Sequence, residues 1–281
     1  MASETRELEV EVSEATLYVR TTGNPKSDDV VIAIHGGPGQ SHHYMLDLEK
    51  LAGDEFAVVT YDQRGVGGST APPADPSNYQ LLDYVQDLEA VRRAVGVNQV
   101  HLLGHSWGGV VAMHYATVYP QRVHSLILVG SGSPTWRGCM AGGARLNARV
   151  RELQKQGILP DPAPPNVAFT AYFSDPSFPF EHPDENAVQT EFNNTVHQLT
   201  WAANEGFDLT AEVGQLDHRV LVLFGEDDPA GMQVFEDTLA ALRSADVASV
   251  LLEKCGHFWH ERPDQFYPRL RAFLGLAEHQ E

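Results

Sequence analysis

Ser106 is the residue in this chain whose surroundings most clearly predict chemistry. It lies in the hexapeptide GHSWGG at residues 104–109, after an apolar run at 100–103 and before the apolar, helix-like segment Val110–Val118. Gly-x-Ser-x-Gly between a strand and a helix is typical of a nucleophile elbow, a tight turn that exposes the serine hydroxyl. The amides at the start of that helix would face the group that the serine attacks. The alternative role for Ser106 is to cap the N-terminus of the helix.

A partner for the serine is expected later in the chain. A serine hydroxyl becomes a strong nucleophile only when a base accepts its proton and a carboxylate orients that base. In a fold with such an elbow the chain order is Ser, acid, His. His257 comes shortly after the apolar segment Ala248–Leu252 and is therefore the predicted base. His260 is the nearest alternative, but it lies further along the chain and is expected at the rim of the site.

Three consecutive carboxylates are candidates for the acid. Glu226, Asp227 and Asp228 all follow the apolar run Arg219–Phe224. We predict Asp228, because the spacing Gly-x-x-Asp lets the loop leave the strand before it turns back toward the histidine. The other two are expected to be solvated loop carboxylates.

The elements between these residues alternate in type. Apolar runs predict strands over Leu8–Val12, Thr16–Thr21, Val30–Ile34, Phe56–Thr60, 100–103, Ser125–Val129, Arg219–Phe224 and Ala248–Leu252. Helical spacing predicts helices over Tyr44–Leu51, Tyr79–Val95, Val110–Val118, Met232–Leu242 and Pro263–Leu274. This order indicates an α/β fold with a mostly parallel sheet and helices on both faces. Sites in such sheets form at the carboxyl ends of the strands, where the candidate residues lie.

One segment breaks the alternation. Residues 134–214 carry helical patterns at Gly143–Gln156 and Glu185–Ala203 and no buried-strand pattern. We therefore predict a core formed by residues 1–133 and 215–281, with a helical lid inserted at 134–214.

Composition excludes several classes of protein. The 281 residues carry a net charge of -19, which disfavours binding to nucleic acid or anionic membranes. No apolar run approaches the roughly 20 residues of a membrane span, and the N-terminus has no signal-peptide pattern. Two cysteines, Cys139 and Cys255, are too few for a disulfide framework, so a cytoplasmic location is expected. No Cys/His cluster has zinc spacing, and we expect neither a metal nor another cofactor.

Three motifs together resemble a known family. They are HGGPG at residues 35–39, DQRGVGGS at 62–69 and GHSWGG at 104–109. In these motifs the chain resembles the α/β-hydrolase family, and within it the proline iminopeptidase branch. The resemblance implies the α/β-hydrolase fold and covers nearly the whole chain outside the insertion.

The resemblance also implies roles for particular residues. Ser106 would be the nucleophile, Asp228 the acid and His257 the base. The backbone N–H groups of Gly37 and Trp107 would form the oxyanion hole. An acyl oxyanion needs two fixed donors, and losing one typically costs roughly 3–4 kcal/mol of barrier.

The second motif places Asp62 and Arg64 beside the site. We expect the two to form a salt-bridged turn that braces the strand ends, in preference to a contact with substrate.

The charge of the predicted lid bears on substrate choice. Residues 156–218 contain ten acidic residues and no Lys or Arg. Carboxylates without cations can hold a substrate's α-ammonium group through charge-assisted hydrogen bonds, and the resemblance implies lid glutamates in that role. Glu191 and Glu205, both close to aromatic residues, are the candidates. The alternative is an ordinary solvated acidic face.

The sequence therefore predicts a serine hydrolase that forms an acyl-enzyme. The first choice is an aminopeptidase of the proline iminopeptidase type, acting on small molecules or short peptides with a free N-terminus. A carboxylesterase or lactonase stays open, because the early lid has only Trp136 where that branch carries Trp-x-x-Trp-Glu. A non-catalytic receptor on the same fold is the third possibility. The sequence leaves the oligomeric state undetermined.

Overall fold

The strands form one sheet. The computed structural model describes residues 4–24, 27, 29–163, 169–180 and 192–277. The strands are β1 (Thr5–Val12), β2 (Ala15–Gly23), β3 (Val30–Ile34), β4 (Ala57–Tyr61), β5 (Val100–His105), β6 (Val123–Val129), β7 (Arg219–Gly225) and β8 (Asp246–Leu252). They make an eight-stranded sheet in the order β1-β2-β4-β3-β5-β6-β7-β8. Among the described strands, β2 runs antiparallel to both β1 and β4, and the other five neighbouring pairs are parallel.

Helices alternate with these strands. The α-helices in the described residues are α1 (Leu81–Val95), α2 (Trp107–Val118), α3 (Trp136–Lys155), α4 (Asn194–Ala203), α5 (Thr210–Val213), α6 (Met232–Ala241) and α7 (Pro263–Leu274). Short 3-10 helices lie at His43–Leu51, Pro76–Asn78, Pro120–Arg122, Phe169–Tyr172 and Trp259–Glu261. None of these helices is long and apolar enough to cross a membrane.

The sheet is buried on both faces. Alternate residues of a strand point to opposite faces, and β3 divides its side chains between two hydrophobic cores in this way. Ile32 lies in the core that α1, α2 and α6 cover, with Leu88, Val111 and Val234. Val31 lies in the other core, which α7 and the 3-10 helix at 43–51 cover. The α/β fold with helices on both faces is therefore confirmed.

Helix starts in the inserted segment differ from the prediction. The predicted helix at 143–156 begins at Trp136, because the Thr135 side chain accepts a hydrogen bond from the Gly138 amide and caps it. Three glycines at 138, 142 and 143 lower the helix propensity and hide this start in the sequence. The predicted helix at 185–203 lies partly outside the described residues, and α4 begins at Asn194. The division into core and lid stays a prediction.

Asp62 and Arg64 each have an ion-pair partner elsewhere in the chain. Arg64 donates through Nε and Nη2 to both carboxylate oxygens of Asp87 on α1, at 2.8 and 2.7 Å. Asp62 accepts from the backbone and the Nδ1 of His42, each at 2.8 Å. Burial alone would raise the pKa of Asp62, but these hydrogen bonds hold it below its ordinary value. Both side chains do brace the loop after β4, each through a separate partner.

We expect Asp87→Ala to destabilise the fold strongly. The Arg64 and Asp87 side chains are only 3% and 2% exposed, so the substitution removes the close counter-charge of a buried guanidinium and leaves only the Asp83 carboxylate, 3.9 Å away. The free energy of unfolding should fall by about 3–5 kcal/mol, measured by urea denaturation. Glu4→Ala, which breaks the exposed pair with Arg6, is the control and should leave the unfolding midpoint unchanged. Equal midpoints for the two variants would contradict this account of the Arg64 loop.

Candidate active site

The turn at Ser106 is strained and closely packed. Ser106 joins β5 to α2 with φ 55° and ψ -120°, a backbone conformation that residues other than glycine rarely adopt. A Cβ added to Gly108 would lie 2.0 Å from the carbonyl oxygen of Ile34 at the end of β3. A Cβ added to Gly104 would lie 2.4 Å from the Gly108 oxygen. Both glycines are therefore required by contact with neighbouring backbone.

His257 and Asp228 form a hydrogen-bonded pair. The Nδ1 of His257 lies 2.8 Å from the Oδ2 of Asp228, and both side chains are buried. The other Asp228 oxygen accepts from the Ala230 amide at 2.8 Å. Because a carboxylate only accepts, Nδ1 of His257 donates, which leaves Nε2 of the neutral ring as a proton acceptor. This is the tautomer that a general base needs.

The alternative residues have other partners. Asp227 is exposed and accepts from the Ser174 hydroxyl at 2.6 Å. Glu226 is also exposed. His260 lies 2.9 Å from the Tyr44 carbonyl oxygen through Nε2 and does not line the cavity that contains Ser106.

One cavity brings the predicted catalytic residues together. Ser106, Asp228 and His257 line a space of about 640 Å³ together with Gly37 and Trp107. The remaining walls come largely from α3 and α4 and from the loops at 131–133 and 229–230. Glu205 is exposed and lies outside the lining of the cavity, and Glu191 lies outside the described residues.

Two backbone amides at the cavity are available as donors. Within the described chain, neither the Gly37 nor the Trp107 amide donates to a protein acceptor. The loop that carries Gly37 lies against Ser106, since a Cβ on Gly36 would lie 2.9 Å from the Ser106 Cβ. Gly37 has φ 122°, a conformation that favours glycine. The geometry therefore suits two N–H donors for an oxyanion.

Gln63 contacts both the loop that carries Gly37 and the first residue of α2. The sequence analysis did not single it out. Its Nε2 donates to the His35 carbonyl oxygen at 2.7 Å, and its Oε1 accepts from the Trp107 indole at 3.1 Å. Its own amide donates to the His35 ring at 3.0 Å. The only signal in the sequence was its place in the motif at 62–69.

The family follows from the comparison with known proteins. A model of the alpha/beta hydrolase fold matches residues 29–262, and the chain belongs to that family. Within the family it is proline iminopeptidase-like. A proline iminopeptidase from Lactobacillus crispatus (strain ST1) is 29% identical over 92% of this chain and 94% of its own length. One from Lactobacillus delbrueckii subsp. lactis is 31% identical over 75% of this chain and 78% of its own.

Solved structures agree on the fold. The proline iminopeptidase of Mycobacterium smegmatis aligns with a TM-score of 0.74 at 23% identity, covering 96% of this chain and 98% of that one. An esterase from Exiguobacterium antarcticum aligns with a TM-score of 0.73 at 19% identity, covering 96% of this chain and 100% of that one. Peptidase and esterase thus share this fold equally well, and the fold does not choose between them.

We expect Asp228→Asn and Asp227→Asn to differ sharply. Asparagine at 228 cannot hold the same His257 tautomer or stabilise its charged form, so kcat should fall by about 10⁴-fold. Asparagine at 227 changes an exposed side chain of the same loop and should alter kcat less than threefold. Steady-state kinetics with one substrate measures both. Similar losses in the two variants would mean that Asp228 does not orient the base.

Proposed function

We propose that this hydrolase is a serine hydrolase that works through an acyl-enzyme. The observation that carries the proposal is the 2.8 Å hydrogen bond between His257 and Asp228 in the cavity that Ser106 lines. In this mechanism the Nε2 of His257 takes the Ser106 proton while Oγ attacks the substrate carbonyl. The amides of Gly37 and Trp107 bind the oxyanion, and His257 then protonates the leaving group. Water, activated by the same histidine, releases the acyl group.

The substrate we propose is a small amide with a free N-terminal amine, as for a proline iminopeptidase. The similar proteins named proline iminopeptidase support this choice. The amine must lie close to the loop that carries Gly37, because it is attached to the carbon next to the scissile carbonyl. Of the described residues that line the cavity, Asp228 is the one carboxylate, and His257 already occupies it. Glu191 stays part of the proposal, whereas the exposed Glu205 does not.

His197 on α4 is the described acceptor that best fits this amine. It lines the cavity, and its Nδ1 lies 2.8 Å from the carbonyl oxygen of Pro38, next to Gly37. A carbonyl only accepts, so Nδ1 donates and Nε2 carries the free lone pair. Burial lowers the pKa of His197, which keeps the ring neutral at pH 7. Trp201, one turn further along the same face of α4, offers its ring to a cation.

Ester hydrolysis is the second candidate, because the α3 wall of the cavity can accept an uncharged acyl group. Gly142, Gly143 and Leu146 line the cavity and carry no charge. A Cβ on Gly143 would meet nothing within 4 Å, so this wall leaves open space beside it. Such a wall suits an uncharged acyl group as well as a proline ring.

Labelling of Ser106 tests the serine mechanism. A fluorophosphonate should modify Ser106 alone, detected by intact mass and peptide mapping, because His257 activates only that hydroxyl. Ser106→Ala should abolish labelling and lower kcat by at least about 10³-fold. Ser133→Ala is the control, since Ser133 also lines the cavity, and it should be labelled as the wild type is. An unlabelled wild-type protein would favour the receptor alternative.

The amine preference can be measured with matched substrates. Proline p-nitroanilide should exceed its N-acetyl derivative in kcat/KM by roughly ten- to hundredfold, the effect of about 1.5–3 kcal/mol from hydrogen bonds to a charged group. His197→Asn keeps a donor where Nδ1 stands and removes the Nε2 acceptor, so it should reduce that preference. His197→Gln keeps an acceptor near Nε2 and loses the bond to Pro38, so it should preserve the preference. If p-nitrophenyl butyrate is hydrolysed and both anilides are not, the esterase takes the place of the aminopeptidase.

A further inference from the structure

Three buried hydrogen bonds connect the loop at residues 35–39, here called the glycine loop, to the backbone of His257. The Gly36 amide lies 2.6 Å from the Tyr44 hydroxyl, and that hydroxyl lies 2.8 Å from Nδ1 of His105. Nε2 of His105 lies 3.0 Å from the carbonyl oxygen of His257. Tyr44 is 3% exposed and His105 is fully buried, so water does not compete for these bonds.

The direction of each bond is determined by its ends. The Gly36 amide can only donate, so the Tyr44 oxygen accepts and its single hydrogen points to Nδ1 of His105. The His257 carbonyl can only accept, so Nε2 of His105 donates. A neutral His105 ring is therefore protonated at Nε2, and its Nδ1 accepts from the Tyr44 hydroxyl. Burial and the nearby His257 ring, 4.8 Å away between centroids, lower the pKa of His105 well below its ordinary value.

We propose that His105 is a positioning residue. Through Tyr44, it couples the position of the glycine loop to the position of the backbone at His257. The proposal rests on the proposed catalytic roles of Gly37 and His257. Gly36 directly precedes the amide that we assign to the oxyanion, and the peptide of His257 carries the base. His105 also directly precedes Ser106, so one side chain ties together the three segments that must meet in the transition state.

The surroundings make this connection rigid. The His105 ring packs against Phe258 with centroids 4.8 Å apart and against Trp259 at 5.3 Å. Tyr44 makes an edge contact with Phe258 at 5.4 Å. Hydrogen bonds inside such an apolar cluster are stronger than in water, and a broken one leaves an unsatisfied buried group. A displacement of about 1 Å in either catalytic loop is enough to cost about 10²-fold in rate.

Substitutions can break the two halves of the connection separately. Tyr44→Phe deletes the hydroxyl. His105→Gln places its amide nitrogen near Nε2, so it keeps the bond to the His257 carbonyl and loses the bond to Tyr44. His105→Asn does the reverse. The assay uses whichever of proline p-nitroanilide and p-nitrophenyl butyrate the wild-type protein hydrolyses.

We expect Tyr44→Phe to lower kcat about 10- to 100-fold with KM changed less than threefold. Binding of phenylboronic acid, whose serine adduct places an oxygen in the oxyanion hole, should weaken by a similar factor. The double variant Tyr44→Phe/His105→Gln should be no slower than the slower single variant, because both changes break the same bond. Tyr44→Phe combined with His105→Asn should be slower than either variant alone.

A control separates positioning from stability. Tyr115 is another buried tyrosine, whose hydroxyl donates to Glu89 at 2.7 Å, and it does not line the cavity that contains Ser106. Tyr115→Phe should lower the melting temperature as Tyr44→Phe does while leaving kcat unchanged. If Tyr44→Phe loses stability but keeps kcat and boronate affinity, the coupling proposal fails. If Ser106→Ala keeps full activity, the serine mechanism fails instead.

Discussion

The close approach of two backbones at the elbow is the constraint on which the rest of the site depends. Gly108 presses against the carbonyl of Ile34, so the start of α2 lies directly beside the end of β3. The chain leaves β3 through the glycine loop, and that loop is thereby brought against Ser106. The strained conformation of Ser106 persists because this packing determines it from several sides. Ser106 and the two amides that we propose as oxyanion donors therefore meet because β3 and β5 are neighbouring strands.

The groups that hold the loops around the elbow are neutral. Gln63, Tyr44 and His105 hold the loops through uncharged hydrogen bonds. The paired charges of Arg64 and Asp87 brace the next loop instead. In a medium of low dielectric constant a fixed charge beside the oxyanion would act strongly on it. In the mechanism that we propose, neutral supports position the Gly37 and Trp107 amides without opposing the charge that develops on the oxyanion.

The sequence predicted the catalytic candidates because each follows an apolar run that makes a strand. Ser106, Asp228 and His257 could be chosen as candidates from local pattern and chain order, and the structure places all three at one cavity. Contacts between distant positions could not: Gln63 lies 28 residues from His35 and 44 from Trp107, and no local pattern encodes either contact. The partner of Arg64 was missed for the same reason. Glu205 was chosen because aromatic residues lie near it in the sequence, but it is exposed. Its burial depends on how the segment after α4 packs, which the local sequence does not encode.

The first turn of α4 is fastened to the glycine loop. The Asn193 amide donates to the Gly39 carbonyl at 2.7 Å, its side chain donates to the Gly65 carbonyl at 2.9 Å, and His197 holds Pro38. The helix α4, which belongs to the predicted lid, is thus joined to the loop that carries Gly37. If α4 were exchanged between relatives without residues 35–39, kcat would therefore change as well. A chimera needs both the helix and residues 35–39 from the same parent.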